Sequence, residues 1–508
     1  MRTATQLPPS RSLIAALVVA GDPCHQLLRI APTDVGDEFG GYLPSQDGSH
    51  PGMMCDDDLA VLALRPLESG RLAHLRILPG NRGTGGSGTV DSARSVVDYV
   101  DTRTGVSDAV VRFGSAIGTS MTRYSVGTTR TDFFTFGSAA DPFVTYAGDH
   151  LDEVTVAYET YGSLNADHTN AILVFHALTG SQHAGGYCPA VEGIGSRWTE
   201  ECQSGWWDGF VGPGKAIDTG KFFVICANYL GGCYGSTGPS SIEPATGKPY
   251  GSRFPRITFA DIIDTQVRLL EHLGIEKLHA VVGASTGGLL TMSLATRYPE
   301  MVDIVIPIAS GTRVTALQTI HNFEQITAIE NDPNFRGGDY YEAEPPISGL
   351  KLARMIGHKT FVSLAAMKER AKQETIDRSE GPGSYRIADA MESYMWHQGA
   401  KFISRFDANS YVRITEAWQH FDLVAEAGAE TEAELFARCK HQRYMLFSID
   451  SDVCFYPEEQ ADLALCLKEA DVPHRRITVH SEKGHDSFLL EPALYAPHLI
   501  DTLNNDWY

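Results

Sequence analysis

Ser285 stands in Gly283-Ala284-Ser285-Thr286-Gly287, a G-x-S-x-G pentapeptide. A serine hydroxyl is a weak nucleophile near neutral pH. It reacts when a base takes its proton and a third group holds the base. The small residues two before and two after the serine suit a sharp strand-to-helix turn that lifts the oxygen clear of a sheet. In a chain with 49 glycines the same five residues also fit a tight turn around a buried serine. The flanks separate the two readings. Leu278 to Val282 is a valine-rich run that predicts a buried strand, and Leu289 to Tyr298 predicts a helix.

A base and an acid are found late in the chain. In a strand-turn-helix serine architecture the order is serine, acid, histidine, with the last two after late strands. Asp450 and Asp452 follow the predicted strand Tyr444 to Ile449, and His485 follows the predicted strand Arg475 to Val479. Asp452 is the candidate acid, with Asp450 its rival, and His485 is the candidate base. His480 reads as a solvated strand-end histidine. Acyl transfer also needs donors for a developing oxyanion. The backbone N–H of Thr286 is one candidate. The N–H of Leu178, in the loop His176 to Gly180, is the other, although an ordinary strand exit fits those residues equally well.

The elements that must position these residues alternate. Val154 to Tyr161 reads as a half-buried strand, and Ala171 to His176, Lys221 to Ala227 and Ile304 to Ile308 as fully buried ones. Helical segments such as Ala260 to Leu273 lie between them. The pattern predicts an α/β fold with a mostly parallel sheet covered by helices on both faces. After Ser310 the strands stop, and residues 313–441 read as helical before strands return. The expected organisation is a core of residues 131–312 and 442–508 with a helical lid at 313–441. Gly231 to Ser241 is rich in glycine and hydroxyls, but it lacks the lysine of a P-loop and reads as a wall of the pocket. Trp206-Trp207-Asp208 reads as a packed aromatic corner.

Residues 1–130 differ. They are expected to form an extension, largely without fixed order and with no chemistry of their own. Leu13 to Gly21 is a short apolar run that also fits part of a secretory signal, and Gly80 to Gly88 resembles a flexible linker. The 508 residues carry a formal net charge of -22, which argues against nucleic acid as a partner. The nine cysteines form no C-x-x-C pair, which fits a reducing cytoplasm better than a disulfide framework or a zinc cluster. No apolar run of about eighteen residues occurs, so no membrane association is expected.

From about Thr131 onward the chain resembles the homoserine O-acetyltransferases. The matching stretches are HALTG at His176 to Gly180, GWWDGFVGPGKAIDT at Gly205 to Thr219, NYLGGCYGSTGPSS at Asn228 to Ser241, GASTGG at Gly283 to Gly288, GLKLAR at Gly349 to Arg354, FDANSY at Phe406 to Tyr411 and GHDSF at Gly484 to Phe488. The resemblance implies an α/β-hydrolase fold and a ping-pong reaction of methionine biosynthesis. Ser285 would accept an acyl group from acetyl-CoA or succinyl-CoA and pass it to the hydroxyl of homoserine or serine. It also implies that Arg354 binds the acceptor carboxylate and Asp486 its amine, that the partners are small-molecule substrates, and that the lid carries a homodimer contact. No metal or bound cofactor is implied. Two positions depart from the family pattern. Thr286 replaces a common methionine, and Phe361 a frequent tyrosine.

Overall fold

Ile172 and Val174 point to one side of a strand and Leu173 and Phe175 to the other, and all four are fully buried. Successive strand residues face opposite sides of a sheet, so an unbroken apolar run requires cover on both faces. In the computed structural model of this chain each side has its own core. One holds Leu173, Phe175 and Val281. The other holds Ile172, Val174, Val282 and Ile306.

The structure describes residues 125–373 and 381–505, together with short backbone strands in residues 1–121. The chain divides into two units, residues 1–121 and 122–508. In the first, Ile14–Leu17 pairs with Gln26–Arg29, and Val61–Ala63, Ala73–Leu78, Val96–Asp101 and Val110–Arg112 form a four-stranded antiparallel sheet. The linker expected at Gly80 to Gly88 lies outside the described residues, as does most of Leu13 to Gly21.

The second unit is built on one eight-stranded sheet. Its strands are β1 Asp132–Phe136, β2 Val154–Tyr161, β3 Ala171–Phe175, β4 Phe223–Ala227, β5 Leu278–Ala284, β6 Val302–Ile308, β7 Arg443–Ile449 and β8 His474–Val479. Their spatial order is β1-β2-β4-β3-β5-β6-β7-β8. β2 runs antiparallel to β1 and β4, and the remaining pairs are parallel. β1 is the strand that periodicity misses. It is a short edge strand whose residues alternate between half-buried and exposed.

The strand order reverses beside β3, where β4 lies on one side and β5 on the other. Open α/β sheets bind ligands outside the carboxyl ends of strands at such a point. Phe175 of β3 is in register with Gly283 of β5, so His176 and Ser285 leave the sheet close together.

The helices on the sheet include α1, Phe259–His272, and α2, Thr286–Arg297. α1 starts at a capping box in which the Thr258 side chain accepts from the Asp261 N–H and the Asp261 carboxylate accepts from the Thr258 N–H. Such a cap pairs N–H groups that the helix leaves open. Between β6 and β7 lie α3 Ala316–Glu330, α4 Ile347–Phe361, α5 Leu364–Ala371, α6 Ala390–Ile403, α7 Ala408–Gln419, α8 Leu423–Glu426 and α9 Glu432–Ala437. This is the helical block expected at 313–441, but it has two parts. α3, α4, α6 and α7 pack on one another, whereas α8 packs on α2 and α9 on the helix after β7, α10 Pro457–Glu469. The chain ends in α11 Ser487–Leu490 and α12 Pro492–Asn504.

Candidate active site

Ser285 sits between β5 and α2 with φ 60° and ψ -128°. A left-handed φ is unfavourable for a residue with a Cβ and costs about 1–3 kcal/mol. The glycines around it serve close approach. A Cβ on Gly283 would lie 2.2 Å from the Gly287 carbonyl oxygen, and one on Gly287 would lie 2.5 Å from that of Phe175. The turn is held further by the Ser285 N–H, which donates to the Ile308 carbonyl at 2.9 Å. Ser285 is buried in the wall of a cavity of about 370 Å³.

His485 lines the same cavity. Its Nδ1 is 2.7 Å from Asp452 Oδ2, and both side chains are buried. The other Asp452 oxygen accepts from the N–H groups of Cys454 at 2.7 Å and Phe455 at 2.9 Å. The His485 ring packs on Phe455 and, edge-on, on Phe488. Burial alone would lower the His485 pKa, but the charge and hydrogen bond of Asp452 outweigh it and the net shift is upward. His485 Nε2 is buried and has no hydrogen-bond partner among the described residues. Asp450 is elsewhere. Its Oδ2 is 2.8 Å from Nδ1 of the exposed His480, and its Oδ1 accepts from the Ser481 N–H at 3.0 Å. The two aspartates therefore serve two different histidines.

Of the two oxyanion candidates, one lines the cavity and the other follows Ser285 directly in the chain. Leu178 lines the cavity with Ala177, Thr179 and Gly180. Thr286 is the first residue of α2, where the helix leaves N–H groups unpaired. Thr286 Oγ1 is buried without a hydrogen-bond partner among the described residues.

Arg354 of α4 reaches the cavity from the inserted helices. Its guanidinium stands 5.4 Å from the Phe361 ring centre and 5.0 Å from that of Phe402, with no hydrogen bond or ion pair to any described residue. Burial, and secondly the like charge of Arg405, lower its pKa. Asp486 also lines the cavity. Burial raises its pKa, against the opposing pull of His485 and Arg354. A cation and a carboxylate thus face one space without pairing with each other.

Two residues here escaped sequence reasoning. Arg405 Nη1 donates to the Thr179 carbonyl and to Tyr234 Oη, each at 3.2 Å, and so ties the inserted helices to the loop after β3. A single arginine ahead of FDANSY carries no spacing signal. His176 lies inside a stretch noted for its loop and not for its ring. The glycine-rich stretch 231–241 contributes Tyr234 to the cavity wall. The aromatic corner is present as well. Trp206 and Trp207 stack, and their ring N–H groups donate to the carbonyls of Ser181 and Phe488.

A strained serine after β5, an acid after β7 and a histidine after β8 define an α/β-hydrolase-fold protein, and residues 170–492 match the family model for the alpha/beta hydrolase fold. The crystal structure of esterase E22 superposes with a TM-score of 0.65 at 26% identity, covering 74% of this chain and 100% of the esterase. Homoserine O-acetyltransferase from Solidesulfovibrio magneticus is 42% identical over 370 residues, which are 73% of this chain and 91% of the relative. Homoserine O-succinyltransferase from Aromatoleum aromaticum is 42% identical over 357 residues, 70% of this chain and 92% of the relative. The chain belongs to the homoserine O-acetyltransferase family.

Proposed function

We propose that this chain is an acyl-CoA:L-homoserine O-acyltransferase of methionine biosynthesis, with acetyl-CoA as donor and Ser285 as the acyl carrier. In the first half-reaction His485 Nε2 takes the Ser285 proton as Oγ attacks the thioester carbonyl. The N–H groups of Leu178 and Thr286 receive the oxyanion. The tetrahedral intermediate collapses, the C–S bond breaks, and the CoA thiolate takes the proton from His485. In the second, homoserine places its carboxylate on Arg354 and its ammonium on Asp486. Its hydroxyl gives its proton to His485 and attacks the acyl-serine. O-acylhomoserine leaves, and Ser285 recovers its proton. Asp452 holds the imidazole and balances its charge throughout.

The observation that carries this reading over hydrolysis is Arg354, a cavity-lining guanidinium with no hydrogen-bond or ion-pair partner among the described residues. Water as acceptor needs no such group, whereas an amino-acid carboxylate suits a planar bidentate donor. Similarity to an esterase structure makes hydrolysis the second reading. Similarity to a succinyltransferase makes succinyl-CoA the alternative donor. We further propose a cytoplasmic homodimer that contacts through the inserted helices. Ile320 and Phe323 on α3, which are 53% and 65% exposed, support that contact, and the seven described cysteines, all free, support a reducing compartment.

The test is release of free CoA thiol by the purified protein, crossing acetyl-CoA and succinyl-CoA with homoserine, serine and no acceptor. Release that requires both acetyl-CoA and homoserine is expected. Release without an acceptor makes the protein a hydrolase, and dependence on serine moves it to a different acceptor.

A further inference from the structure

The ring of His176 sits behind the loop that carries Leu178. It is fully enclosed, stacked on Tyr229 with ring centres 3.6 Å apart and planes 18° apart. Its Nδ1 is 2.7 Å from the carbonyl oxygen of Ala177. A carbonyl oxygen only accepts, so Nδ1 carries the proton. On the other side of the ring, Nε2 faces Asn228 Nδ2 at 3.5 Å, and Asn228 Oδ1 accepts from the Tyr234 N–H at 3.4 Å. The ring is therefore held as one tautomer, with Nδ1 donating and Nε2 turned toward a donor.

The Ala177 carbonyl is held twice, since the Gly180 N–H also donates to it at 2.9 Å. That carbonyl and the Leu178 N–H belong to one planar trans peptide, in which the two groups point in opposite directions. Drawing the oxygen back toward His176 and Gly180 turns the Leu178 N–H forward, on the side where Leu178 and Ser285 line the cavity. The Leu178 N–H has no acceptor among the described residues. Gly180 belongs to the same device, because a Cβ there would lie 2.7 Å from the Cβ of His176. Tyr229 Oη, donating to the His176 carbonyl, anchors the residue from below.

We infer that His176 is a positioning residue for the oxyanion donor: through Nδ1 it sets the orientation of the Ala177–Leu178 peptide and so aims the Leu178 N–H at the tetrahedral intermediate on Ser285. Burial lowers the pKa of the ring to about 4, which favours the neutral ring that this tautomer requires. The inference rests on the reading of Ser285 as acyl carrier.

Two substitutions of similar polarity separate this role from packing. His176→Asn keeps an N–H donor near the Nδ1 position, whereas His176→Gln moves its amide toward the Nε2 position. His176→Gln is expected to lower kcat about ten- to hundredfold with little change in KM for either substrate, short of the 10²–10³ lost when an oxyanion donor is deleted outright. It is also expected to weaken binding of a boronic acid that forms a tetrahedral adduct with serine, by a similar factor, while leaving the affinity for CoA unchanged. His176→Asn is expected to recover most of that loss. The melting temperatures of both variants, measured alongside, keep the comparison to folded protein. Equal losses in the two variants, or a His176→Gln enzyme that holds the boronate as tightly as the parent, would overturn the inference. A Ser285→Ala control that retains turnover would instead overturn the acyl-serine reading.

Discussion

Asp452 Oδ2 lies 2.7 Å from His485 Nδ1, while Asp450, two residues earlier, lies 2.8 Å from Nδ1 of His480. The first pair is buried and the second is exposed. Asp452→Asn should therefore cost about 10³–10⁴-fold in kcat, because the imidazole loses both its tautomer and its counter-charge. Asp450→Asn removes a surface ion pair, worth at most about 1 kcal/mol, and should leave kcat within about twofold. Steady-state kinetics on both variants tests the assignment, and the reverse pattern would make Asp450 the acid.

The pH profile follows from the same pair. His485 acts as a base only when neutral, and Asp452 shifts its pKa upward from the ordinary 6.5. The acid limb of kcat/KM should therefore lie above 6.5, and the residual activity of Asp452→Asn should have its limb at lower pH. The stability linkage has the matching sign. A folded-state imidazole pKa above the unfolded one contributes stability that is complete below the unfolded value and is lost as pH rises through the folded value. The pair should thus favour the fold most at mildly acidic pH, which thermal melts across that window would reveal.

Arg354 meets two aromatic rings and no carboxylate within bonding distance. Arg354→Ala should raise the KM for the amino-acid acceptor by at least about tenfold and leave the acyl-CoA KM nearly unchanged. The loss of a charge-assisted hydrogen bond of about 1.5–3 kcal/mol is of that size. Arg354→Lys should recover only part, since an ammonium cannot bond both carboxylate oxygens in one plane. Equal rises in the two KM values would remove the carboxylate role.

Ser285 is strained at φ 60°, in the turn that places it in the cavity wall. Ser285→Ala should abolish acyl transfer without changing the backbone. Ser285→Gly should abolish it too and also raise stability by about 1 kcal/mol, since glycine adopts that φ at no steric cost. Thermal unfolding of the two inactive variants side by side measures the stored strain.

The unit formed by residues 122–508 contains the whole candidate site. Removal of residues 1–121 should therefore leave a folded protein with the parent's kcat. Circular dichroism and the thiol-release assay test this together, and loss of folding would show that the first unit completes the core.

Much of the site was legible because its chemistry is ordered along the chain. Ser285 is marked by the glycines that its turn demands, and Asp452 and His485 follow recognisable strands. What remained open was decided by contacts between distant segments. The sequence does not distinguish Asp450 from Asp452, since both leave the same strand. The fold separates them because the chain turns after Ile449 and buries only the second. β1 escaped because an edge strand with one solvated face carries a weak apolar pattern.

The order of buried runs along this sequence was enough to determine a mostly parallel α/β core, the helices between β6 and β7 and the strand-turn-helix around Ser285, because strand burial and tight turns are written in neighbouring residues. The partners of His176 and Arg405 were not readable in that way. Each meets a backbone carbonyl, Ala177 in one case and Thr179 (beside the Tyr234 hydroxyl) in the other, and carbonyls are the same in every residue. Arg405 and Thr179 are brought together only when the inserted helices pack against the loop after β3. The direction of one peptide plane, at Ala177–Leu178, is likewise set by a ring whose own position depends on Asn228 and Tyr229 from the loop after β4.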